Sequence, residues 1–290
     1  MPTDRPAARA VVLARGLGTR MREADPGAPL SRDQQQAADA GHKAMMPVNG
    51  RPFLDYVLSA LADAGLVRVA LVVAPDHEPL LHYFAVSPPS RVDVGFVVQP
   101  DPLGTANAVL AAESWTAGEP FVVVNADNLY PVDALRALAA SPEPAFPAFD
   151  ADDLVRTSNI PADRIRAFAA ATIDAAGSLI AIVEKPPDLG RRTSDLEHRT
   201  SGVAHRTSGL GHRTAISMNC WRFDARIFDA CRDVPKSARG EFELPEAVGL
   251  ALARGMRVRA LPARGPVLDL SRRADAADIS RRLAGVEPRP

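Results

Sequence analysis

Four short, valine-rich runs that stay apolar at consecutive positions punctuate the first half of the chain: Arg9–Ala14, Val67–Ala74, Val92–Gln99 and Phe121–Asn125. Unbroken apolar runs of this length belong to strands buried on both faces, as in a parallel sheet covered by helices. Between them, segments near Pro52–Ala64, Glu78–Phe84 and Thr105–Ser114 carry apolar residues at helical spacing. The alternation predicts an α/β fold: a doubly wound, Rossmann-like, mixed and mostly parallel sheet with helices on both faces. Ligands of such sheets bind beyond the carboxyl ends of the strands. The loops after the four runs are therefore where chemistry is expected.

The second half is less regular. Ala167–Ile173 and Leu179–Lys185 read as strands around the turn Ala175-Ala176-Gly177, and Ile216–Phe223 reads as one strand followed by a helix at Ala225–Cys231. Glu243–Ala253 predicts a helix closed by Arg254-Gly255, where glycine suits a left-handed cap. Met256–Leu261 and Pro266–Leu270 follow as strands and Arg273–Leu283 as a last helix. No proline-rich linker divides the halves. The expectation is a single domain over 1–290, made of two halves at 1–140 and 141–290 that share one cleft. A low-complexity segment at 190–214 repeats Arg-Thr-Ser every seven residues from Arg192 and contains His198, His205 and His212. Its glycines and single aliphatic residues argue for a solvated insertion rather than a coiled coil.

Composition narrows the classes of function. At 290 residues, 47% hydrophobic and 24% charged, the chain has the make-up of an ordinary globular enzyme. A formal charge of −1 gives no general attraction to nucleic acid or acidic membrane. Cys220 and Cys231 are the only cysteines, which excludes a disulfide framework or a zinc spacing. No apolar run approaches the roughly 18 residues of a membrane span, and Met1–Ala10 lacks the features of a secretory signal. A cytoplasmic location is expected, with small molecules as partners and no nucleic acid or membrane. A homo-oligomer is compatible with the sequence, which does not fix the oligomeric state.

The loop after the first run carries the strongest chemistry: Leu13-Ala14-Arg15-Gly16-Leu17-Gly18-Thr19-Arg20-Met21-Arg22. Glycines after a strand let phosphate approach the backbone N–H groups. Arginine adds a planar fork that grips phosphate oxygens in pairs. The loop has neither the third glycine of a dinucleotide fingerprint nor the Gly-Lys-Ser/Thr end of a P-loop.

Leu-Ala-x-Gly-x-Gly-Thr-Arg-Met resembles the signature of the sugar-1-phosphate nucleotidyltransferases, the nucleotide-sugar pyrophosphorylases. Further elements of that family follow in order. They are Lys43-Ala44-Met45-Met46-Pro47-Val48 with Arg51-Pro52-Phe53-Leu54-Asp55-Tyr56, and then Gln99-Pro100-Asp101-Pro102-Leu103-Gly104-Thr105-Ala106. After these come Val124-Asn125-Ala126-Asp127-Asn128, Val183-Glu184-Lys185-Pro186 and Val267-Leu268-Asp269. The resemblance spans 9–270 and implies the nucleotide-diphospho-sugar transferase fold. It implies a magnesium-dependent enzyme of the EC 2.7.7 class that joins a nucleoside triphosphate to a sugar 1-phosphate and releases pyrophosphate.

It also implies roles. Arg20, Lys43 and Lys185 would be catalytic. Leu13, Ala14, Gly16, Gly18, Thr19, Gln99, Gly104 and Thr105 would hold the nucleotide, and Glu184, Lys185 and Asn219 the acceptor. Asp127 and Asp269 would hold Mg2+, a hard cation that takes one or two carboxylates beside phosphate oxygens. Read alone, each aspartate is equally a turn former. Glu241 and Glu243 fit either acceptor hydroxyls or an acidic helix start, and Trp221 and Phe223 read as core. Arg15 stands where relatives carry glycine or alanine, and the polar stretch Glu23–His42 is long enough for a lid. Two other readings share these residues: the same chemistry on a phosphocholine-like, cyclitol phosphate or phosphonate acceptor, and a non-catalytic domain that binds nucleotide sugars.

Overall fold

The computed structural model describes residues 6–16, 18–23, 25, 27–184 and 211–290. The expectation for Lys185, and the heptad repeat up to residue 210, lie outside the described residues. In chain order the first elements are β1 (Arg9–Leu13), α1 (Thr19–Arg22), α2 (Arg32–Ala40), β2 (Pro47–Val48), β3 (Arg51–Pro52) and α3 (Phe53–Asp63). Next come β4 (Arg68–Val73), α4 (Glu78–Val86), β5 (Asp93–Val98), α5 (Thr105–Ala111), α6 (Glu113–Thr116), β6 (Phe121–Asn125) and β7 (Asn128–Leu129). The middle of the chain forms α7 (Val132–Ala140), β8 (Ala145–Phe149), α8 (Ala151–Thr157), β9 (Ala169–Ile173) and β10 (Leu179–Val183). After the undescribed stretch come β11 (Arg213–Ser217), β12 (Trp221–Phe223), α9 (Ile227–Asp233), α10 (Leu244–Ala253), β13 (Arg259–Ala263), β14 (Leu268–Asp269) and α11 (Arg273–Arg282).

The described strands build a ten-stranded mixed sheet in the order β10-β9-β11-β8-β12-β6-β1-β4-β5, with β13 beside β8. The four valine-rich runs are its parallel part: β1 lies between β4 and β6, and β5 pairs with β4. Successive residues of these strands face opposite sides. Val12 and Val124 pack in one apolar cluster and Val11 and Val123 in a second, on the other face. That double burial is why β1, β4 and β6 are apolar without alternation; β5, at the edge of the sheet, is only partly buried. The expected α/β sheet with helices on both faces is present, and β12, β11, β9 and β10 extend it with antiparallel pairings.

One expectation needs correction. Ile216–Phe223 is not a single strand but two, β11 and β12, broken over Met218–Cys220 with Asn219 in the left-handed region at φ 54°. The cause lies in β8, a strand the hydrophobic pattern did not announce because Pro147 sits in its middle. Pairing with β13 from Ala145↔Arg259 to Phe149↔Ala263 fills one edge of β8. A strand has two edges, so β11 and β12 share the other, through Phe149↔Ile216 and Ala145↔Arg222. In that register the break falls opposite Pro147, which has no N–H to donate. The ladder is interrupted where it cannot be completed, and Asn219 turns the chain there. No helix among the described residues is long and apolar enough to cross a membrane.

Candidate active site

The glycine-rich loop leaves the sheet between β4 and β6, where Ala14 N–H donates to the Val72 carbonyl and Ala126 N–H to that of Leu13. Gly18 adopts φ 62° and starts α1. A Cβ there would strike the backbone of Gly41, the left-handed cap of α2. α2 itself is fixed at its start by a capping box between Ser31 and Gln34. Two glycines thus let the phosphate loop rest on the end of α2, within the stretch read as a lid. Gly16 is different, with open space around it; its bare backbone is available to a ligand.

Across the pocket, Gln99 is buried and its amide nitrogen donates to the Gly104 carbonyl at 3.1 Å and to Asn107 Oδ1 at 2.8 Å. Gly104 has φ 104°, and a Cβ on it would lie 2.6 Å from the Phe242 carbonyl oxygen. That close approach locks the two halves together: Phe242 N–H donates to Leu103 O, Ala106 N–H to Phe242 O, and Leu244 N–H to Thr105 Oγ1. Gly104→Ala is therefore expected to cost at least about 2 kcal/mol, from backbone strain plus the clash. Gly16→Ala should leave the melting temperature unchanged and raise only KM for the nucleotide. Thermal melts and initial rates on both variants check the contrast.

Leu13, Ala14, Gly16, Gly18, Thr19, Gln99, Gly104 and Thr105 all line one cavity of about 730 Å³. A second, of about 500 Å³, is lined by Glu184, Asn219, Asp269 and the residues around them. The two meet at Arg20, Lys43, Thr105, Asn125, Asp127 and Glu241, which border both. Arg15 spans the first cavity's mouth: its Nε donates to the Gln99 carbonyl at 2.7 Å and an Nη to that of Pro100 at 2.8 Å.

Asp127 and Asp269 are brought together by a two-stranded antiparallel pair in which Asp269 faces Asn128 and Leu268 faces Leu129. Leu270 N–H also donates to the Asp127 carbonyl at 2.8 Å. Asp127 Oδ2 accepts from Lys43 Nζ at 2.9 Å, with both side chains partly exposed. Asp269 is buried and accepts from Asn128, Ser271 Oγ and Arg164. Burial raises its carboxyl pKa above the usual value and the charge of Asp127 adds to that, against the pull of Arg164. For Lys43, burial pulls the ammonium's pKa down, but Asp127 and Asp269 outweigh it and the net direction is upward. A pair of partly or wholly desolvated carboxylates, each leaning on a cation, has the donor chemistry of a hard divalent ion site.

The acceptor-side residues sort less simply. Glu184 follows β10 directly and borders the smaller cavity, with Arg239 4.0 Å away. Asn219 borders it too, but its amide is committed: Nδ2 donates to Asn125 Oδ1 and Oδ1 accepts from Trp221 Nε1. Trp221 and Phe223 are fully buried, as core residues. Glu243 precedes α10 without capping it and pairs instead with Arg239; Glu241 borders both cavities. Sequence reasoning missed Arg164, Arg239 and Ser217. Ser217 is buried beside the cavity with a hydroxyl that has no hydrogen-bond partner among the described residues. Arg164 reaches its aspartates only through tertiary folding, so no spacing announces it. Arg239 lay inside a segment read for its glutamates.

The model of the family described as nucleotidyl transferase matches residues 9–270. A UTP–glucose-1-phosphate uridylyltransferase, AglF of Haloferax volcanii, is 25% identical over 275 residues, covering 95% of this chain and 96% of its own. A glucose-1-phosphate thymidylyltransferase of Streptomyces antibioticus is 27% identical, covering 97% of this chain and 68% of its own. Among solved structures, a UDP-glucose pyrophosphorylase complexed with UDP-glucose superposes with a TM-score of 0.69 at 16% identity, covering 97% of this chain and 100% of that one. A UTP-bound enzyme of the same kind from Acinetobacter baumannii gives 0.65 at 20% identity, covering 97% of this chain and 95% of that one. At those identities the structural likeness speaks for the fold.

Proposed function

The chain belongs to the nucleotidyl transferase family, and from that premise we propose that it transfers a nucleoside monophosphate from a nucleoside triphosphate to a sugar 1-phosphate. The observation that carries this reading is the junction of the two cavities on Arg20, Lys43 and Asp127. The larger cavity has the glycine-rich loop for a triphosphate and the Gln99 loop for its base. The smaller has the carboxylates and buried hydroxyl of a polyol site. Both reactants are anions, so bringing them together is chiefly a matter of position and charge.

An oxygen of the acceptor phosphate forms a bond to the α-phosphorus while the bond from that phosphorus to the bridging oxygen of the β-phosphate breaks. Pyrophosphate leaves with the electron pair. Arg20, exposed on α1, would hold the leaving phosphates. Lys43 would meet the charge that builds on the α-phosphoryl oxygens, and its upward-shifted pKa keeps it protonated for that task. Asp127 and Asp269 would hold Mg2+, which when bound supplies charge neutralisation at the phosphates. Glu184 and Glu241 would take acceptor hydroxyls, and Arg239, which lines the smaller cavity, would offer the acceptor phosphate a cation beside the one expected from Lys185.

The test is pyrophosphate release with each common nucleoside triphosphate, Mg2+ and a panel of sugar 1-phosphates, with phosphocholine as a contrasting acceptor. Turnover with at least one sugar is expected. Folded protein that releases no pyrophosphate with any sugar, or only with phosphocholine, would overturn the sugar reading.

A further inference from the structure

Arg15 is a cation of the glycine-rich loop to which the proposed reaction gives no task. Its side chain does not point idly into solvent. It crosses from the loop after β1 to the loop after β5 and grips two consecutive carbonyls, those of Gln99 at 2.7 Å and Pro100 at 2.8 Å. Gln99 and Arg15 both line the cavity proposed for the nucleotide, on the side proposed for the base. Gln99 in turn is fixed by Gly104 and Asn107. The wall is therefore rigid before any ligand arrives, and a rigid wall discriminates by shape and by hydrogen-bond polarity.

From this geometry, and resting on the proposed nucleotide site, we infer that Arg15 selects the nucleobase, favouring bases with a ring carbonyl over adenine. A guanidinium has about five N–H donors and no acceptor. Two donors are spent on the Gln99 and Pro100 carbonyls, and whatever remains can only donate. Uracil, thymine, guanine and cytosine each carry a ring carbonyl that accepts such a bond; adenine carries none, and its ring-nitrogen acceptors N1 and N7 flank an amino group that sets a donor against the guanidinium's donors. The clamp also sets the distance between the two loops. The shorter of the residues that relatives carry here, glycine or alanine, would leave that distance open.

Binding of ATP, UTP, dTTP, GTP and CTP with Mg2+ to the wild-type chain and to Arg15→Ala and Arg15→Lys tests this by calorimetry, with inorganic tripolyphosphate as the base-free probe. In the wild type at least one carbonyl-bearing nucleotide is expected to outbind ATP. In Arg15→Ala that preference shrinks by about ten- to a hundredfold, the worth of one hydrogen bond from a charged donor, while tripolyphosphate binds as before. Arg15→Lys, which keeps the charge without the planar fork, should also lose most of the preference. An unchanged preference in Arg15→Ala, a wild type that prefers ATP, or an equal loss for tripolyphosphate would each overturn the inference and leave the proposed reaction standing. A wild type that binds no nucleotide at all overturns both.

Discussion

Asp127→Asn is expected to lower turnover by about a hundred- to a thousandfold, the usual cost of removing one preorganised electrostatic group, while leaving the fold intact. The two halves of that statement rest on different observations. Asp127 borders both cavities and lies across a two-stranded pair from Asp269. Taking its charge away would weaken the proposed hold on Mg2+ and strip Lys43 of its ionic partner. Stability, by contrast, should change only modestly. The Asp127 and Lys43 side chains keep 24% and 20% of their exposure, so water reaches the pair in part and its loss should cost about 1–2 kcal/mol, between the exposed and the buried cases. Asparagine still offers Lys43 a carbonyl oxygen. Rates and melting curves measured on one preparation make the comparison. Retained turnover would remove Asp127 from the metal site, and a large fall in melting temperature would make its role structural.

What the sequence disclosed, and what it hid, follows from how local each signal is. The parallel strands β1, β4 and β6 were legible because burial on both faces leaves consecutive apolar residues, and Val11, Val72 and Val123 are all fully buried. The loops after β1 and β5 were legible because Gly18 and Gly104 are demanded by close backbone approaches that no other residue permits. β8 was hidden by Pro147, and the break at Asn219 could not be foreseen without knowing that β8 runs beside it. The carboxylates Asp127 and Asp269 stood out beside strand ends. Their supports did not: Arg164 lies more than a hundred positions from both of the aspartates it holds, Asp269 and Asp275. A charged residue in a turn looks solvated until the fold buries it. Asn219 spends one N–H and one carbonyl lone pair within the protein, whereas the nearby Ser217 hydroxyl has no hydrogen-bond partner among the described residues.

Arg164→Met is expected to destabilise the fold by about 3–5 kcal/mol, the cost of breaking a buried ion pair from one side. Arg164 bridges Asp269 and Asp275 with side-chain exposures of 10%, 4% and 8%. Asp275 also accepts from the Ser271 and Arg272 N–H groups at the start of α11, so it keeps partners when the arginine goes. Asp269 is worse placed. It is left buried, facing the charge of Asp127, with only Asn128 and Ser271 to solvate its side chain. The double variant Arg164→Met/Asp269→Asn should therefore recover most of the lost stability, because the stranded charge is gone, yet recover none of the turnover. Denaturation of the wild type, both single variants and the double variant closes a cycle, and a coupling of about 1–3 kcal/mol is expected. A loss below about 1 kcal/mol in Arg164→Met would mean that water reaches the pair. Recovery of turnover in the double variant would mean that Asp269 serves the fold and not the metal. Arg164 thus opposes the burial that raises the Asp269 pKa, at a carboxylate proposed to hold the divalent ion.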